Sequence, residues 1–386
     1  MIYLDNAATS WPKPEIVYKT MDEFLRTKGG NPGRGSHSMA LAARQTVDET
    51  RMLVARFINA PEINRVIFTL NCTDALNLGL KGLLKPGDHV VTSCIGHNSL
   101  VRPLRKLESL GVKVTWVRSS PDSGVLSPRD IEAAITKDTK LVVVTHASNV
   151  TGMIQPIEEY DAITRSRNLI FMVDAAQTAG KYPIDVQASN IDLLAFSGHK
   201  GLFGPPGTGA LYISNRVNLD SLREGGTGSY SEEEEQPEIL PDRYESGTQN
   251  SVGISGLGAG LKYIREEGLE KIGAREQSLT DSLIEGLSKI TEVVLYISKD
   301  RLKQAPVISF NIKGFTPGDV GTILDQTFDI KVRTGLQCAP MMHKTIGTFP
   351  LGTIRLSPGY FNSLEEIEMT IRAIDRISRS GGGIKA

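Results

Sequence analysis

Short runs of apolar, β-branched residues alternate with amphipathic stretches between about residues 50 and 215. This alternation is typical of an α/β domain in which helices cover a mostly parallel sheet. The run that begins at Leu141, Leu-Val-Val-Val-Thr, has no polar alternation, as expected of a strand covered on both faces. Seven strands are predicted, at 65–70, 89–93, 113–117, 140–145, 169–174, 193–197 and 210–213. Amphipathic stretches between several of them predict helices at 74–84, 99–110, 127–135 and 158–166.

The pattern changes after residue 256. Helical patterns lie at 256–267, 272–290 and 364–378, and weaker strand patterns lie at 293–297, 307–312, 331–333 and 353–356. We therefore expect two domains, a large α/β domain at 15–255 and a smaller α+β domain formed by 1–14 and 256–386. The turn-rich, acidic segment 225–241 predicts a mobile loop.

The charge balance excludes several classes of partner. The chain has 43 Lys and Arg against 44 Asp and Glu, so its formal net charge is −1. This balance gives no electrostatic attraction to nucleic acid or an anionic membrane, and we expect neither as a partner. No apolar run is long enough to span a bilayer, and we expect no signal peptide. Three scattered cysteines without a Cys-x-x-Cys pattern predict no metal site and a reducing, cytoplasmic location.

Two charged residues follow successive predicted strands. Asp174 ends one strand, and Lys200 follows the next in Ser197-Gly-His-Lys. Because the carboxyl ends of parallel strands line the ligand crevice of such sheets, both side chains can converge there. A partly buried lysine is a candidate for Schiff-base formation, and a buried aspartate can hold the pyridinium nitrogen of pyridoxal 5′-phosphate (PLP). The lysine motif alone has an alternative interpretation, a phosphate-binding glycine loop with an incidental lysine.

Together with the segments that begin at Tyr3 (Tyr-Leu-Asp-Asn-Ala-Ala-Thr) and Arg355 (Arg-Leu-Ser), these motifs resemble the class V aminotransferase branch of fold-type I PLP enzymes. Within that branch the chain is similar to the cysteine desulfurases over essentially its whole length. The resemblance implies the fold-type I architecture, with the smaller domain carrying a cysteine loop. It also implies that Lys200 bonds covalently to PLP, that Asp174 meets the pyridine nitrogen and that Gln177 meets the phenolic oxygen.

A second group of residues concerns the cofactor phosphate. Cys72 and Thr73 lie where a predicted strand turns into a helix, and a helix N-terminus favours a phosphate. A simple helix cap is the alternative. The resemblance favours phosphate binding by the Cys72 backbone and the Thr73 hydroxyl, with Ser197 and His199 completing the site. It also implies that Thr248 reaches the phosphate of a neighbouring subunit, so that the functional unit is a homodimer.

Three further residues are candidates for the substrate side of the site. His97 follows a predicted strand; by resemblance it stacks on the PLP ring and carries protons, and the alternative is a structural histidine. Asn149 matches the family residue that meets the cofactor oxygen and the substrate carboxylate. Arg355 offers a planar pair of donors that suits an α-carboxylate, and the alternative is a surface salt bridge.

Cys338 lies in Arg333-Thr-Gly-Leu-Gln-Cys-Ala-Pro, a loop between a glycine and a proline. Arg333 favours a thiolate there, and by resemblance this cysteine attacks the substrate sulfur. The pattern Arg-x-Gly-x-x-Cys is similar to group II, or SUF-type, desulfurases. This chain departs from that group at two places. Leu336-Gln337 stands where a His-His pair is frequent, and His97 is a single histidine where those enzymes often have two. A buried cysteine on a short loop predicts slow turnover without an acceptor.

The resulting hypothesis is a cysteine desulfurase that converts L-cysteine to L-alanine. Lys200 removes the α-proton, the Cys338 thiolate takes the sulfur as a persulfide, and a sulfur-acceptor protein receives it, as in iron–sulfur cluster assembly. Selenocysteine lyase activity on L-selenocysteine, an aminotransferase, an epimerase and another β-lyase remain open, since fold and PLP residues do not separate them. A catalytically idle scaffold is a third possibility, against which the intact Lys200, Asp174 and Arg355 argue.

Overall fold

The computed structural model describes residues 1–33, 35–120 and 124–381 of the chain. The helices are α1 (Glu15–Thr27), α2 (Ser38–Phe57), α3 (Cys72–Leu83), α4 (Asn98–Glu108), α5 (Pro128–Ala134), α6 (Ile157–Ser166), α7 (Ser251–Glu267), α8 (Leu269–Ser288), α9 (Pro317–Phe328), α10 (Pro340–Thr345) and α11 (Leu364–Arg379). The strands of the first half are β1 (Ile2–Tyr3), β2 (Val66–Thr69), β3 (His89–Ser93), β4 (Lys113–Val117), β5 (Thr139–Thr145), β6 (Ile170–Asp174), β7 (Leu193–Ser197) and β8 (Gly209–Ile213). Those of the second half are β9 (Val293–Tyr296), β10 (Ile308–Ile312), β11 (Ile330–Lys331), β12 (Arg333–Gly335) and β13 (Thr353–Leu356).

Seven strands form one large sheet in the order β2-β8-β7-β6-β5-β3-β4. Strand β8 runs antiparallel to both of its neighbours, β2 and β7, whereas the other four strand pairs of this sheet are parallel. The prediction of a seven-stranded, mostly parallel sheet is therefore confirmed. Alternate residues of the central strands enter two separate cores: Val142 and Val144 lie in one, and Leu141 and Val143 in the other. Both faces of the sheet are therefore buried, which explains why β5 shows no polar alternation.

The strand order places a crevice at one edge of this sheet. From β3 the chain moves outward to β4, then returns to the other side of β3 to form β5 and continues through β6 and β7. Ligands of such sheets bind where the direction of strand addition reverses, outside the carboxyl ends of the strands. Here the reversal lies between β3 and β5, directly before His97 and Asn149.

A second, antiparallel sheet has the order β12-β13-β10-β9. It shares a core with helices α8, α9 and α11, in which Leu283, Phe310, Ile354 and Ile374 are buried. The first strand of the chain joins this part of the molecule, because β1 pairs in parallel with β11 and Leu4 enters the same core. A separate two-stranded sheet, β1-β11, thus holds the N-terminus against the C-terminal half.

Helix α7 lies between the two sheets in the chain and packs on α1 and α2. Its residues Leu257 and Leu261 enter a core of the large sheet. The boundary that we expect between residues 255 and 256 falls inside this helix, and the division into two domains stays a prediction. Among the described residues, no helix has the length and apolar character needed to cross a membrane.

The segment 225–241 contains no helix or strand. Hydrogen bonds nevertheless hold its backbone at several points. Gln236, for example, accepts a hydrogen bond from the Gly225 N–H at 3.0 Å and donates to the Asp242 carbonyl at 3.1 Å, and the Gly247 N–H donates to the Gly226 carbonyl at 2.9 Å. The mobility of this loop stays a prediction.

Candidate active site

A cavity of about 390 Å³ opens at the carboxyl ends of β3, β5, β6 and β7. The sequence predicts twelve site residues, and ten of them line this cavity: Cys72, Thr73, His97, Asn149, Asp174, Gln177, Ser197, His199, Lys200 and Arg355. Cys338 and Thr248 do not line it. The fold therefore gathers side chains from four strand ends, one helix start and the smaller sheet.

Asp174 ends β6 at the floor of the cavity and is 2% exposed. Its Oδ1 accepts the Ala176 N–H at 3.0 Å and the Cys72 thiol at 3.4 Å, and its Oδ2 accepts the Thr145 hydroxyl at 3.5 Å. Burial raises the pKa of this carboxyl, while these hydrogen bonds and the positive charge of Lys200 oppose the rise. The carboxylate is thus oriented by donors on several sides and suited to a cationic N–H partner.

Lys200 follows β7, and its side chain faces the cavity. Burial lowers the pKa of its amine, an effect that the neighbouring Asp174 opposes. Among the described residues its Nζ has no hydrogen-bond acceptor at short range, so its lone pair is available once a proton is lost. A lysine of this kind is a stronger nucleophile at neutral pH than an exposed one.

The start of α3 forms a polar corner of the cavity. Asn71 caps the helix, because its Oδ1 accepts the Asp74 N–H at 3.0 Å. The Cys72 N–H donates to Ser197 Oγ at 3.1 Å, and the Thr73 hydroxyl lies 2.6 Å from the hydroxyl of Ser99. Helix N-terminal N–H groups with adjacent hydroxyls are typical of an anion site.

His199 adds a group to this corner that lacks a protein partner. Its Nδ1 is buried and has no hydrogen-bond partner among the described residues. Burial, assisted by the charges of Lys200 and Lys13, lowers its pKa to about 4. A neutral imidazole with an unsatisfied nitrogen indicates that a polar ligand belongs beside it.

His97 caps α4 and lines the same cavity. Its Nδ1 accepts the Ser99 N–H at 3.0 Å, so a neutral ring carries its proton on Nε2. Burial and the positive charges of Lys200 and Arg355 lower its pKa to about 4. His97 is therefore neutral at physiological pH and can hold or transfer a proton at Nε2.

Arg355 enters the cavity from β13 and is 3% exposed. Its Nη1 donates to the Asn149 carbonyl at 3.0 Å, and its Nη2 pairs with Asp5 Oδ1 at 2.7 Å. The sequence alternative of a surface salt bridge is therefore wrong, because both partners are largely withdrawn from solvent. Arg355 Nε and Asn149 Oδ1 are buried without partners among the described residues, and they leave one donor and one acceptor for a ligand.

Gln177 and Asp5 connect the cavity to the N-terminal segment. Gln177 Nε2 donates to the Ala7 carbonyl at 3.1 Å, and Ala7 and Ala8 themselves line the cavity. Asp5 lies in the motif that begins at Tyr3, and its sequence pattern alone predicts no role for it. The further lining residues without a nominated role in the cavity are Ala7, Ala8, Asn71, Ser99, Thr145, Ala147, Ala176 and Arg333.

Cys338 lies in the loop between β12 and α10, and its side chain is exposed. The expectation of a buried cysteine is wrong. Gln337 takes the inward position instead, since its amide donates to the Thr353 carbonyl at 2.9 Å. Gln337 and Cys338 both have a positive φ, 46° and 58°, so the chain turns sharply and directs the cysteine outward. The loop still contacts the cavity wall, because Asn149 Nδ2 donates to the Gln337 carbonyl at 2.7 Å.

Thr248 lies away from this cavity, on an exposed stretch beside Asn31. Asn31 Nδ2 donates to its hydroxyl at 3.4 Å. Its contact with a neighbouring subunit stays a prediction.

Comparisons with known proteins agree with this geometry. The model of the family "Aminotransferase class-V" matches residues 2–369. A probable cysteine desulfurase of Methanothermobacter thermautotrophicus is 37% identical over 98% of this chain and 95% of its own, and one of Pyrococcus abyssi is 39% identical with the same coverage. The apo structure of the cysteine desulfurase from Thermococcus onnurineus NA1 superposes with a TM-score of 0.89 at 36% identity, covering 98% of this chain and 95% of that one.

A second solved structure extends the agreement. The structure of the cysteine desulfurase CsdA from Escherichia coli has a TM-score of 0.87 at 26% identity and covers 98% of this chain and 94% of its own. The chain belongs to the class-V aminotransferase family, in its group of cysteine desulfurases. Members of this family are in general PLP-dependent enzymes, and the expected fold type is confirmed.

Proposed function

We propose that this protein is a PLP-dependent cysteine desulfurase that releases L-alanine from L-cysteine and retains the sulfur on Cys338. The observation that supports it best is the convergence of Lys200, Asp174 and the start of α3 on one cavity. An exposed cysteine loop that is hydrogen-bonded to the same cavity through Asn149 adds the sulfur-accepting group.

The residues present fit PLP. Lys200 would bond to it covalently, Asp174 would pair with its ring nitrogen and Gln177 would meet its phenolic oxygen. The residues that would hold its phosphate are Cys72 through its backbone, Thr73, Ser197 and His199, at the corner where His199 Nδ1 has no protein partner. When bound there, PLP supplies an electron sink for the bonds that break at the substrate.

The substrate carboxylate would bind at Arg355. Its Nε is buried and without a protein partner, while Asp5 and the Asn149 carbonyl hold its terminal nitrogens in place. Asn149 Oδ1 adds an acceptor beside it. A carboxylate held there would place the α carbon of the substrate in the same cavity as the amine of Lys200, which would take its proton.

His97 would assist proton transfer on the side of the cavity away from Lys200. Its ring is neutral and fixed by Ser99, so Nε2–H donates a hydrogen bond to the reacting groups, and it can release its proton only as Nδ1 takes one from the Ser99 hydroxyl 2.8 Å away. A fixed tautomer ensures that the proton is presented from one atom only.

Sulfur transfer would use Cys338. The electron pair of its thiolate attacks the substrate sulfur, the bond between that sulfur and the β carbon breaks, and its electron pair remains on the carbon side. A proton then completes the methyl group of alanine, and Cys338 carries a persulfide. The exposed position of Cys338 leaves this persulfide accessible to a sulfur-acceptor protein.

We also propose a homodimer and a cytoplasmic location. Thr248 is exposed and does not reach the cavity of its own chain, so a role at the phosphate requires a second copy. The three cysteines are unpaired, which suits a reducing compartment.

The first test measures alanine formed from L-cysteine in the presence of dithiothreitol. We expect the wild type to be active and Cys338→Ser to lose activity by about 100-fold or more, because the nucleophile is gone. Cys94→Ser, which changes a buried cysteine outside the cavity, serves as the matched control and should keep at least half of the activity. Equal alanine from wild type and Cys338→Ser would refute the persulfide step.

A parallel incubation with L-selenocysteine distinguishes a cysteine desulfurase from a selenocysteine lyase. A higher kcat/KM for L-selenocysteine that persists in Cys338→Ser would favour a selenocysteine lyase, because such a reaction would not need this cysteine.

A further inference from the structure

Thr9, Ser10 and Lys13, here called the N-terminal brace, lie against the backbone that carries Lys200. The carbonyl oxygen of His199 accepts hydrogen bonds from Thr9 Oγ1 at 3.0 Å, the Ser10 N–H at 3.1 Å and Lys13 Nζ at 2.8 Å. Ser10 Oγ donates to the carbonyl oxygen of Lys200 at 2.8 Å. Two consecutive carbonyl groups of the lysine-bearing turn are thus held by a segment about 190 residues earlier in the chain.

Lys13 is the charged member of the brace. Its Nζ donates to Ser10 Oγ at 2.8 Å in addition to the His199 carbonyl. Burial lowers its pKa to about 7, so the amine is an ammonium below that pH, and no carboxylate in the described part of the chain opposes the shift. The buried Lys181, in contrast, has Glu276 as a partner at 3.0 Å. A partly buried ammonium needs hydrogen bonds to offset its lost hydration, and Lys13 obtains them from the turn that carries Lys200.

Hydrogen bonds from an ammonium are shorter and stronger than those between neutral groups. The protonated amine of Lys13 therefore restrains the His199 carbonyl more than the hydroxyl of Thr9 does. The peptide plane that contains this carbonyl also contains the backbone nitrogen and the Cα atom of Lys200. The orientation of this plane therefore sets the position of the Cα atom from which the Lys200 side chain extends. An amine that must reach one carbon atom of a ligand tolerates little displacement of that starting point.

We propose that Lys13 is a positioning residue, which holds the His199 carbonyl and thereby sets where Lys200 presents its amine. Lys13 does not line the cavity, so it acts through the backbone and touches neither substrate nor cofactor. This inference rests on the proposed function, because it assumes that Lys200 is the residue that captures PLP.

The test compares Lys13→Met, which removes both hydrogen bonds, with Lys13→Arg, which keeps a charged donor. Lys19→Met, on the exposed side of α1, is the matched control. Each apoprotein is mixed with PLP, and its dissociation constant and rate of covalent capture are followed by visible absorbance. Borohydride reduction and peptide mapping identify the lysine that is modified, and a pH titration of the visible band reports the protonation of the bond to Lys200.

We expect Lys13→Met to capture PLP at Lys200 about tenfold more slowly, because a charge-assisted hydrogen bond that orients the turn is lost. The midpoint of its pH titration should also differ from that of the wild type. Lys13→Arg should recover at least half of the wild-type rate, and Lys19→Met should be indistinguishable from the wild type.

Wild-type capture rate and titration midpoint in Lys13→Met would overturn the inference. An equal loss in Lys13→Arg and Lys13→Met would also overturn it, since that result indicates a general packing role. If Lys13→Met does not fold, Lys13→Gln, which removes the charge and shortens the side chain, replaces it, and a wild-type rate in that variant has the same meaning. Capture at a lysine other than Lys200 in the wild type would refute the proposed function itself, which separates the two failures.

Discussion

Asp174 keeps three hydrogen-bond donors around a carboxylate that solvent scarcely reaches. Its pKa is raised by burial, so each donor matters for keeping the group charged. One of the donors is the thiol of Cys72, whose own pKa is raised well above its usual value by burial and by the charge of Asp174. Cys72 is therefore a protonated donor and not a nucleophile. Burial also raises the pKa of the Cys94 thiol, and these two findings support the proposal that Cys338 is the thiol for sulfur chemistry.

Replacement of Cys72 tests this role at the scale of one residue. We expect Cys72→Ala to weaken PLP binding by about three- to tenfold, because the loss of one donor is worth about 1 kcal/mol and leaves Asp174 less well charged. Cys72→Ser keeps a donor and should bind within about twofold of the wild type. Absorbance titration of the apoproteins with PLP measures both, with Cys94→Ala as the control. Wild-type affinity in Cys72→Ala would show that the thiol does not support Asp174.

The residues that the sequence identified without help from the fold are those at strand ends. Asp174 and Lys200 follow apolar runs whose burial is visible in the sequence, and the carboxyl ends of such strands meet at one edge. Asp5 escaped assignment because its partner Arg355 is 350 residues away. The outward position of Cys338 depends on the backbone angles of two residues, which a sequence pattern does not specify.

At the scale of elements, Arg51 of α2 and Glu245 connect β2 to the segment that carries Thr248. The pair is bidentate, with distances of 2.6 and 2.9 Å, and the side chains are 4% and 3% exposed. Glu245 Oε1 also accepts the Phe68 N–H of β2 at 2.6 Å. One buried carboxylate thus fixes a helix, a strand and a loop together.

Removal of this carboxylate should be costly. We expect Glu245→Gln to lower the free energy of unfolding by about 3 kcal/mol, because it leaves the buried Arg51 without a counter-charge. The double variant with Arg51→Met and Glu245→Met should recover part of this loss, since no unpaired charge remains. Urea unfolding followed by circular dichroism measures all three proteins. A change below about 0.5 kcal/mol in Glu245→Gln would refute the structural importance of the pair.

The predicted strand at 331–333 is an example of a local pattern that does not specify strand pairing. The structure divides it into β11, which pairs with β1, and β12, which pairs with β13. The two short strands belong to different sheets because their partners come from opposite ends of the chain. Their residues form a continuous stretch in the sequence, so the division is not visible there.

At the scale of the whole molecule, buried histidines couple folding to pH. Burial lowers the pKa of His146 and of His343 to about 4, whereas an unfolded histidine titrates near 6.5. Between these values the unfolded chain binds protons that the folded chain does not. Stability is therefore complete above about pH 6.5 and falls as the pH decreases toward 4.

We expect each of these histidines to add about 1.4 kcal/mol per pH unit to the pH dependence of the unfolding free energy near pH 5. Urea unfolding of the apoprotein at pH 7, 6 and 5 measures this dependence. His343→Asn and His146→Asn should each make it shallower, whereas His37→Asn, at an exposed position, should leave it unchanged. An unchanged dependence in both buried variants would contradict this account.

The sequence by itself determined the seven strands of the large sheet, the residues that follow them and the family, because these depend on local periodicity and on motifs of a few residues. Only the tertiary structure decided that Asp5 pairs with Arg355, that Arg51 pairs with Glu245 and that Cys338 lies outside the cavity. These contacts join segments far apart in the chain or follow from individual backbone angles. Their formation requires the packing of both sheets, which no local pattern contains.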